Sequence, residues 1–187
     1  MESIDSKLTR AIMACLFAAL ISLGAYIAIP LPGTPVPIVL QNMFIVLAGF
    51  ILGPWWGLVA VVFYLILGTV GMPVFSGGTG GLVKLAGPTG GYLLGYIPGV
   101  IIFGLISRLG KSRWYVNVAA GILGMALVYA LGVPRLKWVL GVDWPKAIAT
   151  GLIPFIPGDL VKIVVASVLA PPILRALEHI EQRSSDG

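Results

Sequence analysis

Apolar residues occur along the chain in six runs, separated by short stretches rich in Pro, Gly or charged residues. Most of these runs approach the roughly 20 residues that a helix needs to cross the hydrocarbon core of a bilayer. Such long apolar runs are typical of transmembrane helices. The predicted spans are residues 10–30, 36–53, 58–70, 88–107, 114–132 and 157–172. The fold class that follows is an all-α integral membrane protein with six transmembrane helices.

The breaks between runs have local causes. The Pro-rich stretch 30–37 cannot continue a helix, and Gly53-Pro54 is a tight break between the second and third spans. An extended connection of mixed polarity, 133–153, precedes the last span; there Asp143 and Pro145 favour a short interfacial helix. We predict one domain over residues 1–187, with polar tails of approximately 1–9 and 178–187.

Composition agrees with a lipid environment. The chain is 58% hydrophobic and 10% charged, with a mean hydropathy of +1.03, whereas a soluble domain has about 25% charged residues. The single cysteine, Cys15, excludes a disulfide or a thiolate metal cluster within the chain. His179 lies in the C-terminal tail, where we expect a solvated residue. The net charge of +5 comes from basic residues in the loops, so it indicates membrane topology and not nucleic-acid binding.

Lys and Arg residues are unequally shared between the two sides of a six-span topology. The side with both tails carries seven: Lys7, Arg10, Arg108, Lys111, Arg113, Arg175 and Arg183. The opposite side carries four: Lys84, Arg135, Lys137 and Lys146. Because basic loops stay in the cytoplasm, both termini are predicted to be cytoplasmic.

Two stretches depart from the pattern of spans and loops. Residues 71–95 hold nine of the 25 glycines, although each glycine in a helix interior costs about 0.5–1 kcal/mol relative to Ala. This density suits a backbone that turns sharply and lies close to a small ligand. The second stretch, Phe155–Lys162, brings an acid and a base into an otherwise apolar segment. We expect the two stretches to form one pocket.

Asp159 and Lys162 are the candidate ligand-binding charges. A charge at mid-membrane costs about 2.5–3.5 kcal/mol on insertion scales, which argues that both side chains face a cavity. Their spacing of i, i+3 puts them on neighbouring faces of a helix. Ile156-Pro157-Gly158 breaks the chain before them, so free N–H groups of the helix start are expected at the same place. The alternative is a structural salt bridge.

Two further groups of residues are candidates for contacts. Gln41 and Asn42 are adjacent amides on different helix faces, so at most one is expected to face a cavity; we choose Gln41 as a ligand contact, against an interhelical hydrogen bond. Ala14 and Ala18 belong to a face of small residues on the first span. Such a face allows close helix approach in lipid, either to another membrane subunit or within this chain.

The sequence lacks the parts that catalysis needs. There is no buried His, no nucleophile–base pair and no metal-ligand cluster. The run from Gly104 to Ser112 resembles a phosphate-binding P-loop, but it has five residues between its glycines where four are required. A pocket without reaction machinery in a multi-span protein indicates a solute-binding membrane protein and not an enzyme.

Three motifs resemble a known family. They are Gly71-Met-Pro-Val-Phe75-Ser-Gly-Gly, Leu85-Ala-Gly-Pro-Thr-Gly-Gly-Tyr92 and Phe155-Ile-Pro-Gly-Asp-Leu-Val-Lys162, and Val36–Gln41 also fits. Together they resemble the BioY family, the biotin-specific substrate-binding components of energy-coupling factor (ECF) transporters. The resemblance covers nearly the whole chain. It implies a six-helix protein of a prokaryotic cytoplasmic membrane that captures biotin from outside.

The resemblance also implies partners and roles. The partners are a transmembrane coupling subunit and two ATP-binding cassette subunits, which would supply the energy, within membrane lipid. Biotin would be the transported substrate, with no cofactor. Asp159 would accept the ureido N–H groups and Lys162 would share that polar site. The other implied ligand contacts are Gly90, Gly91, Tyr92, Phe75 and Thr79, and the implied subunit contacts are Ala14 and Ala18. Two alternatives are a capture subunit for another vitamin and a membrane assembly protein without transport function.

Overall fold

The structure is a computed structural model that describes the backbone of residues 4–185 and most of their side chains; those of residues 4–6, 178 and 180–185 lie outside the description. The described part of the chain contains seven helices and one pair of short strands. In chain order these are α1 Ile4–Tyr26, β1 Ala28–Ile29, β2 Ile38–Val39, α2 Gln41–Thr69, α3 Leu82–Ala86, α4 Gly90–Leu109, α5 Trp114–Leu140, α6 Trp144–Gly151 and α7 Ile156–Ser185.

Five helices in the described residues, namely α1, α2, α4, α5 and α7, are long and apolar enough to cross a membrane. The difference from the six predicted spans lies in α2, which joins the second and third apolar runs. The predicted break at Gly53-Pro54 is present inside it, because Gly53 has non-helical dihedral angles of φ 76° and ψ −174°. The helix α2 therefore consists of two helical halves that meet at Gly53.

The two halves of α2 fold back on each other. A Cβ atom added to Gly57 would lie 3.3 Å from the carbonyl oxygen of Ala48, whereas these residues would be about 13 Å apart along a continuous helix. At the break, the Arg108 guanidinium donates a hydrogen bond to the carbonyl of Leu52 over 2.9 Å. This bond satisfies a backbone acceptor that the interrupted helix leaves without a partner.

Close helix contacts in the centre of the bundle depend on glycine. A Cβ atom on Gly95 of α4 would lie 2.9 Å from the Cα atom of Val128 in α5, and one on Gly104 would lie 2.3 Å from the backbone nitrogen of Pro54. Without side chains at these positions, α4 can lie between α2 and α5 at backbone contact. This is how small residues stabilise helix packing in lipid, where water does not drive association.

The face of small residues on α1 packs inside the chain. Ala14 is 2% exposed and Ala18 is 1% exposed, and α1 packs against α2. The structure shows the internal packing that the sequence left open beside docking to another subunit, and the contact of Ala14 and Ala18 with a partner subunit stays a prediction. The exposed residues of α1, such as Ile12, Leu16 and Leu23, lie on the other side of the helix.

Two boundaries differ from the sequence predictions. The connection 133–153 is mostly helical: α5 continues to Leu140, and α6 follows with the predicted cap, in which Asp143 Oδ1 accepts a hydrogen bond from the Lys146 amide over 3.1 Å. The helix α7 also continues through Pro171 and Pro172 into the predicted tail, as far as Ser185. The end of an apolar run predicts where a helix leaves the membrane. It does not predict where the helix ends, because α5 and α7 both continue with polar residues.

The glycine-rich segment begins with a compact loop, residues 71–81, which packs against the ends of α1 and α2. Gly71, Gly77, Gly78 and Gly81 have positive φ angles, as expected for sharp turns. A Cβ atom on Gly80 would lie 2.2 Å from the Met72 carbonyl oxygen. This close approach is made to the loop's own backbone, whereas Gly91 and Gly95 of the same segment lie against α5.

Candidate functional site

A cleft lies between the start of α2 and the helices α4, α5 and α7. It encloses about 560 Å³ of space, part of it open to solvent. Its walls are formed by Val36, Pro37, Val39, Gln41, Asn42, Ser76, Thr89, Tyr92, Leu93, Tyr96, Met125, Val128, Tyr129, Phe155, Asp159 and Lys162.

The short hairpin of β1 and β2 positions one end of the cleft. The strands pair antiparallel, with Ala28 opposite Val39 and Ile29 opposite Ile38. The amide of Leu40 then donates to the carbonyl of Ile27 over 3.1 Å. The Pro-rich turn thus brings the chain back at the top of α1 and starts α2 at Gln41, so that Gln41 and Asn42 both border the cleft.

Asp159 lies at the centre of the polar wall. It is 4% exposed and lies in the first turn of α7, where its negative charge also favours the positive end of the helix dipole. Its Oδ1 atom accepts hydrogen bonds from Asn42 Nδ2 at 3.2 Å and from Lys162 Nζ at 3.0 Å. Its Oδ2 atom accepts a short hydrogen bond from the Tyr129 hydroxyl. Side chains from three helices, α2, α5 and α7, therefore meet at one carboxylate.

The network continues behind these partners. The Tyr96 hydroxyl donates to Asn42 Oδ1 over 2.6 Å, and Lys162 Nζ donates to the Val39 carbonyl over 2.7 Å. The Lys162 side chain is only 12% exposed, so both charges of the pair are largely withdrawn from solvent. A buried charge pair persists when its remaining hydrogen-bonding capacity is satisfied, and here neighbouring polar groups satisfy it. The amide of Asp159 donates to the Phe155 carbonyl over 2.9 Å, so this N–H group of the helix start is not free for a ligand.

Gln41 contributes a donor without a partner. The residue is 2% exposed, and its Nε2 atom is buried without a hydrogen-bond partner. An unpaired buried donor costs about 1–3 kcal/mol. In a cleft wall, such a donor is ready to bind an acceptor atom of a ligand.

Aromatic rings form the apolar wall of the cleft. The rings of Tyr92 and Tyr129 meet edge to face, with centroids 6.3 Å apart. The Tyr92 hydroxyl donates to the Gly151 carbonyl over 2.7 Å, and this bond connects α4 to α6. Tyr92 therefore presents its ring to the cleft while its hydroxyl is occupied in packing.

The structure brings four of the eight predicted ligand-contact residues to the cleft and places the others elsewhere. Gln41, Tyr92, Asp159 and Lys162 line it. Gly90 lies against the Leu85 carbonyl, Gly91 lies against α5, and Phe75 packs edge-on to Tyr64 at 5.5 Å. The Thr79 hydroxyl donates to the Ser76 carbonyl over 3.0 Å. In this structure these four residues support the loop and the helix packing around the cleft.

Sequence reasoning missed three polar side chains of the network: Asn42, Tyr96 and Tyr129. The prediction that at most one of the two adjacent amides faces a cavity was wrong, because the cleft surrounds the first turn of α2. For Tyr96 a signal was present, since it lies four residues after Tyr92 and shares its helix face. Tyr129 has an isolated hydroxyl in an apolar span, and such a group needs a partner in lipid.

The fold and the cleft define a multi-pass membrane protein with a buried polar site for a small ligand. The described residues contain no group of three His, Cys, Asp or Glu side chains that could hold a metal ion. The BioY family model matches residues 1–179. The chain therefore belongs to the BioY family.

Individual relatives and a solved structure agree with this assignment. The biotin transporter BioY of Thermotoga maritima is 45% identical over 85% of this chain and 92% of that protein. The biotin transporter BioY of Rhizobium etli is 41% identical over 87% of this chain and 91% of that protein. The crystal structure of the S-component for biotin from an ECF-type ABC transporter matches with a TM-score of 0.87 and 28% identity, over 94% of this chain and 95% of the other.

Proposed function

We propose that this protein binds biotin in the cleft around Asp159 and delivers it across the membrane as the substrate-capture subunit of an ECF-type transporter. The observation that carries the proposal is the buried Asp159 carboxylate, on which Asn42, Lys162 and Tyr129 converge. The relatives named above support the identity of the substrate.

The chemistry of biotin fits the groups in the cleft. Its ureido ring has two N–H donors and one carbonyl acceptor, and its valerate chain ends in a carboxylate. The Asp159 carboxylate accepts one ureido N–H group, and the unpaired Gln41 Nε2 donates to the ureido oxygen. Lys162 is the cation available for the valerate carboxylate. The rings of Tyr92, Tyr129 and Phe155 bury the apolar ring system of biotin.

Binding requires the network to reorganise. The polar groups around Asp159 are already bonded to one another, so biotin must replace some of these hydrogen bonds. The Tyr129 hydroxyl gives up its hydrogen bond to Asp159 Oδ2, and one ureido N–H group replaces it. This exchange conserves the number of hydrogen bonds at the carboxylate, so selectivity depends on whether a ligand presents a matching donor.

The proposed topology has six crossings, because the two halves of α2 pack against each other and meet at Gly53. Six crossings put both termini on one side. The excess of Lys and Arg in the turn between α4 and α5 and near the end of α7 favours a cytoplasmic location for that side. The cleft then opens outward, as capture of an external solute requires.

The proposed partners are a transmembrane coupling subunit and two ATP-binding cassette subunits in a prokaryotic cytoplasmic membrane. The chain has no valid P-loop, so energy must come from other proteins. Biotin is the cargo, and the chain needs no cofactor to bind it.

Direct binding tests the proposal. Purified protein in detergent is titrated with labelled biotin, and ATP hydrolysis is measured on the same sample. We expect saturable biotin binding without ATPase activity, and biotin-dependent hydrolysis only after the partner subunits are added. Saturable binding of a different vitamin with no binding of biotin would contradict the proposed substrate.

A further inference from the structure

A second cavity lies on the opposite side of the Tyr129–Asp159 pair from the biotin cleft. It is bounded by α5, α6 and α7 and encloses about 1080 Å³, part of it open to the outside of the bundle. Apart from Tyr129, Asp159 and the indole of Trp144, its walls are apolar. On α5 these walls include Ile122, Ala126, Ala130 and Pro134. We call this cavity the α5–α7 groove.

The groove is elongated along α5. Ile122, Ala126, Ala130 and Pro134 line it at steps of four residues, a distance of about 18 Å along the helix axis. Ala126 and Ala130 are exposed, and their small side chains leave room above the helix backbone. The result is a long apolar channel parallel to a transmembrane helix, which suits an extended hydrocarbon chain.

One end of the groove carries a cation beside an aromatic ring. Lys137 Nζ lies 5.3 Å from the centroid of the Trp144 ring, and Trp144 lines the groove. In the described part of the chain, Lys137 forms no ion pair. A Trp and an unpaired cation at the end of an apolar channel are typical of the membrane–water interface. That cation is complementary to the phosphate of a lipid headgroup.

We propose that the α5–α7 groove binds one acyl chain of a phospholipid, whose phosphate lies near Lys137. The bound chain forms the outer wall of the biotin site, because Met125, Tyr129 and Asp159 line both cavities. A lipid in the groove keeps water away from the Asp159 carboxylate, whose hydrogen bond to a ureido N–H group of biotin is stronger in a dry environment. The affinity for biotin therefore increases when the groove is occupied. This second consequence rests on the proposed function, whereas lipid binding itself does not.

Lipid retention tests the site. The full chain is purified in detergent, mixed with phosphatidylglycerol and examined by native mass spectrometry. We expect wild-type protein to retain a phospholipid, and Ala130→Trp to lose it because the indole fills the groove. Ala126→Phe is a second filling variant. Ala119→Trp is the matched control, since Ala119 is also exposed on α5 but does not line the groove.

The contribution of the Lys137 charge to lipid binding is tested with a control of its own. Lys137→Gln should weaken lipid retention, whereas Lys84→Gln, in α3, should leave it unchanged. A soluble glycerophosphate added in excess should not displace the lipid, because the acyl chain supplies most of the contact. Displacement by glycerophosphate would mean a headgroup site only and would overturn the assignment of the groove to an acyl chain.

Coupling to biotin is measured on the same proteins, delipidated and relipidated. For wild type and Ala119→Trp, we expect biotin affinity to rise on relipidation by about fivefold or more, the lower end of coupling between two sites. For Ala130→Trp, both states should have the same affinity.

Equal lipid retention in Ala130→Trp and Ala119→Trp would overturn the site. The site would also be overturned if Ala130→Trp kept its lipid and lost only its assembly with the partner subunits. Equal biotin affinity of the wild-type protein with and without bound lipid would overturn the coupling. Absence of biotin binding in every sample would instead contradict the proposed function. Lipid retention is measured separately and would still test the lipid site.

Discussion

Asn42 and Asp159 meet in the cleft although 117 positions separate them in the sequence: Asn42 Nδ2 donates a hydrogen bond to Asp159 Oδ1 over 3.2 Å. The contact joins the first turn of α2 to the first turn of α7. Asn42 also accepts a hydrogen bond from Tyr96 of α4. Its amide thus orients the carboxylate by connecting three helices, and the site depends on the relative positions of all three.

Replacing Asn42 by Leu tests this orienting role. Leu has a similar size, but it leaves the Tyr96 hydroxyl without its acceptor and removes one of the two hydrogen bonds that Asp159 Oδ1 accepts. Leaving a buried group unpaired costs about 1–3 kcal/mol, so biotin affinity should fall by roughly five- to 150-fold. Isothermal titration calorimetry on the purified protein measures it.

Asn117→Leu is the matched control for Asn42→Leu. Asn117 is also a buried amide, but it lies near the turn between α4 and α5, where its Nδ2 atom is 3.5 Å from the Ser112 carbonyl. Its loss should lower the thermal unfolding midpoint without changing biotin affinity. Unchanged affinity in Asn42→Leu, or an equal loss of affinity in both variants, would contradict the orienting role.

Gln41→Leu should separate stability from binding. In the ligand-free protein Gln41 Nε2 is a buried donor without a partner, so its removal should leave the unfolding midpoint unchanged or raised. Biotin affinity should fall by about five- to tenfold, since a typical hydrogen bond is worth about 1–1.5 kcal/mol. Thermal melting with and without biotin measures both effects. A lower midpoint with unchanged affinity would show that Gln41 has a structural role only.

Gly53→Ala should destabilise the turn inside α2. The dihedral angles of Gly53, φ 76° and ψ −174°, fall in a region where a side chain costs about 1–3 kcal/mol. An added Cβ would also lie 2.1 Å from Arg108 Nε and displace the guanidinium from the Leu52 carbonyl.

Gly33→Ala is the control for Gly53→Ala. Gly33 has a similar φ of 82°, but nothing lies within 4 Å of an added Cβ, so only backbone strain is introduced. Thermal melting in detergent should show a larger decrease for Gly53→Ala than for Gly33→Ala. Equal decreases would mean that the Arg108 contact does not stabilise the turn.

Combined Ala14→Trp and Ala18→Trp substitutions should damage folding, since both side chains are buried within the chain. Overpacking of this kind typically costs about 1–3 kcal/mol per site, so poor expression and loss of biotin binding should appear together. Ala19→Trp, on the exposed side of α1, should express and bind normally. A double variant that binds biotin but fails to assemble with partner subunits would instead favour a docking role for this face.

Much of the fold was predictable from the sequence because its causes are local. Apolar runs predicted the helices, Gly53-Pro54 predicted the turn in α2, and Asp143 with Pro145 predicted the start of α6. The partners of Asp159 were harder to find. Whether Asn42 or Tyr129 faces the cleft depends on how each helix is rotated against its neighbours, and one sequence does not contain that information.

The glycine-rich segment illustrates the same limit. Its composition predicted sharp turns and close approach, and both are present. It did not reveal what the backbone approaches, which is the Met72 carbonyl at Gly80 and the Leu85 carbonyl at Gly90. A glycine required by a neighbouring carbonyl and one required by a ligand have the same sequence pattern.

The most direct test of the account is the affinity of the purified chain for biotin, measured by titration calorimetry for wild type, Asp159→Asn and Asp143→Asn. The first substitution turns one acceptor oxygen of the cleft into a donor group, and the second makes the same change at the exposed cap of α6. Loss of a charge-assisted hydrogen bond is worth about 1.5–3 kcal/mol, or roughly ten- to a hundredfold in affinity. We predict saturable binding by wild type and Asp143→Asn, and binding weakened by that factor in Asp159→Asn. Unchanged affinity in a folded Asp159→Asn protein, or no saturable binding by wild type, would contradict the account.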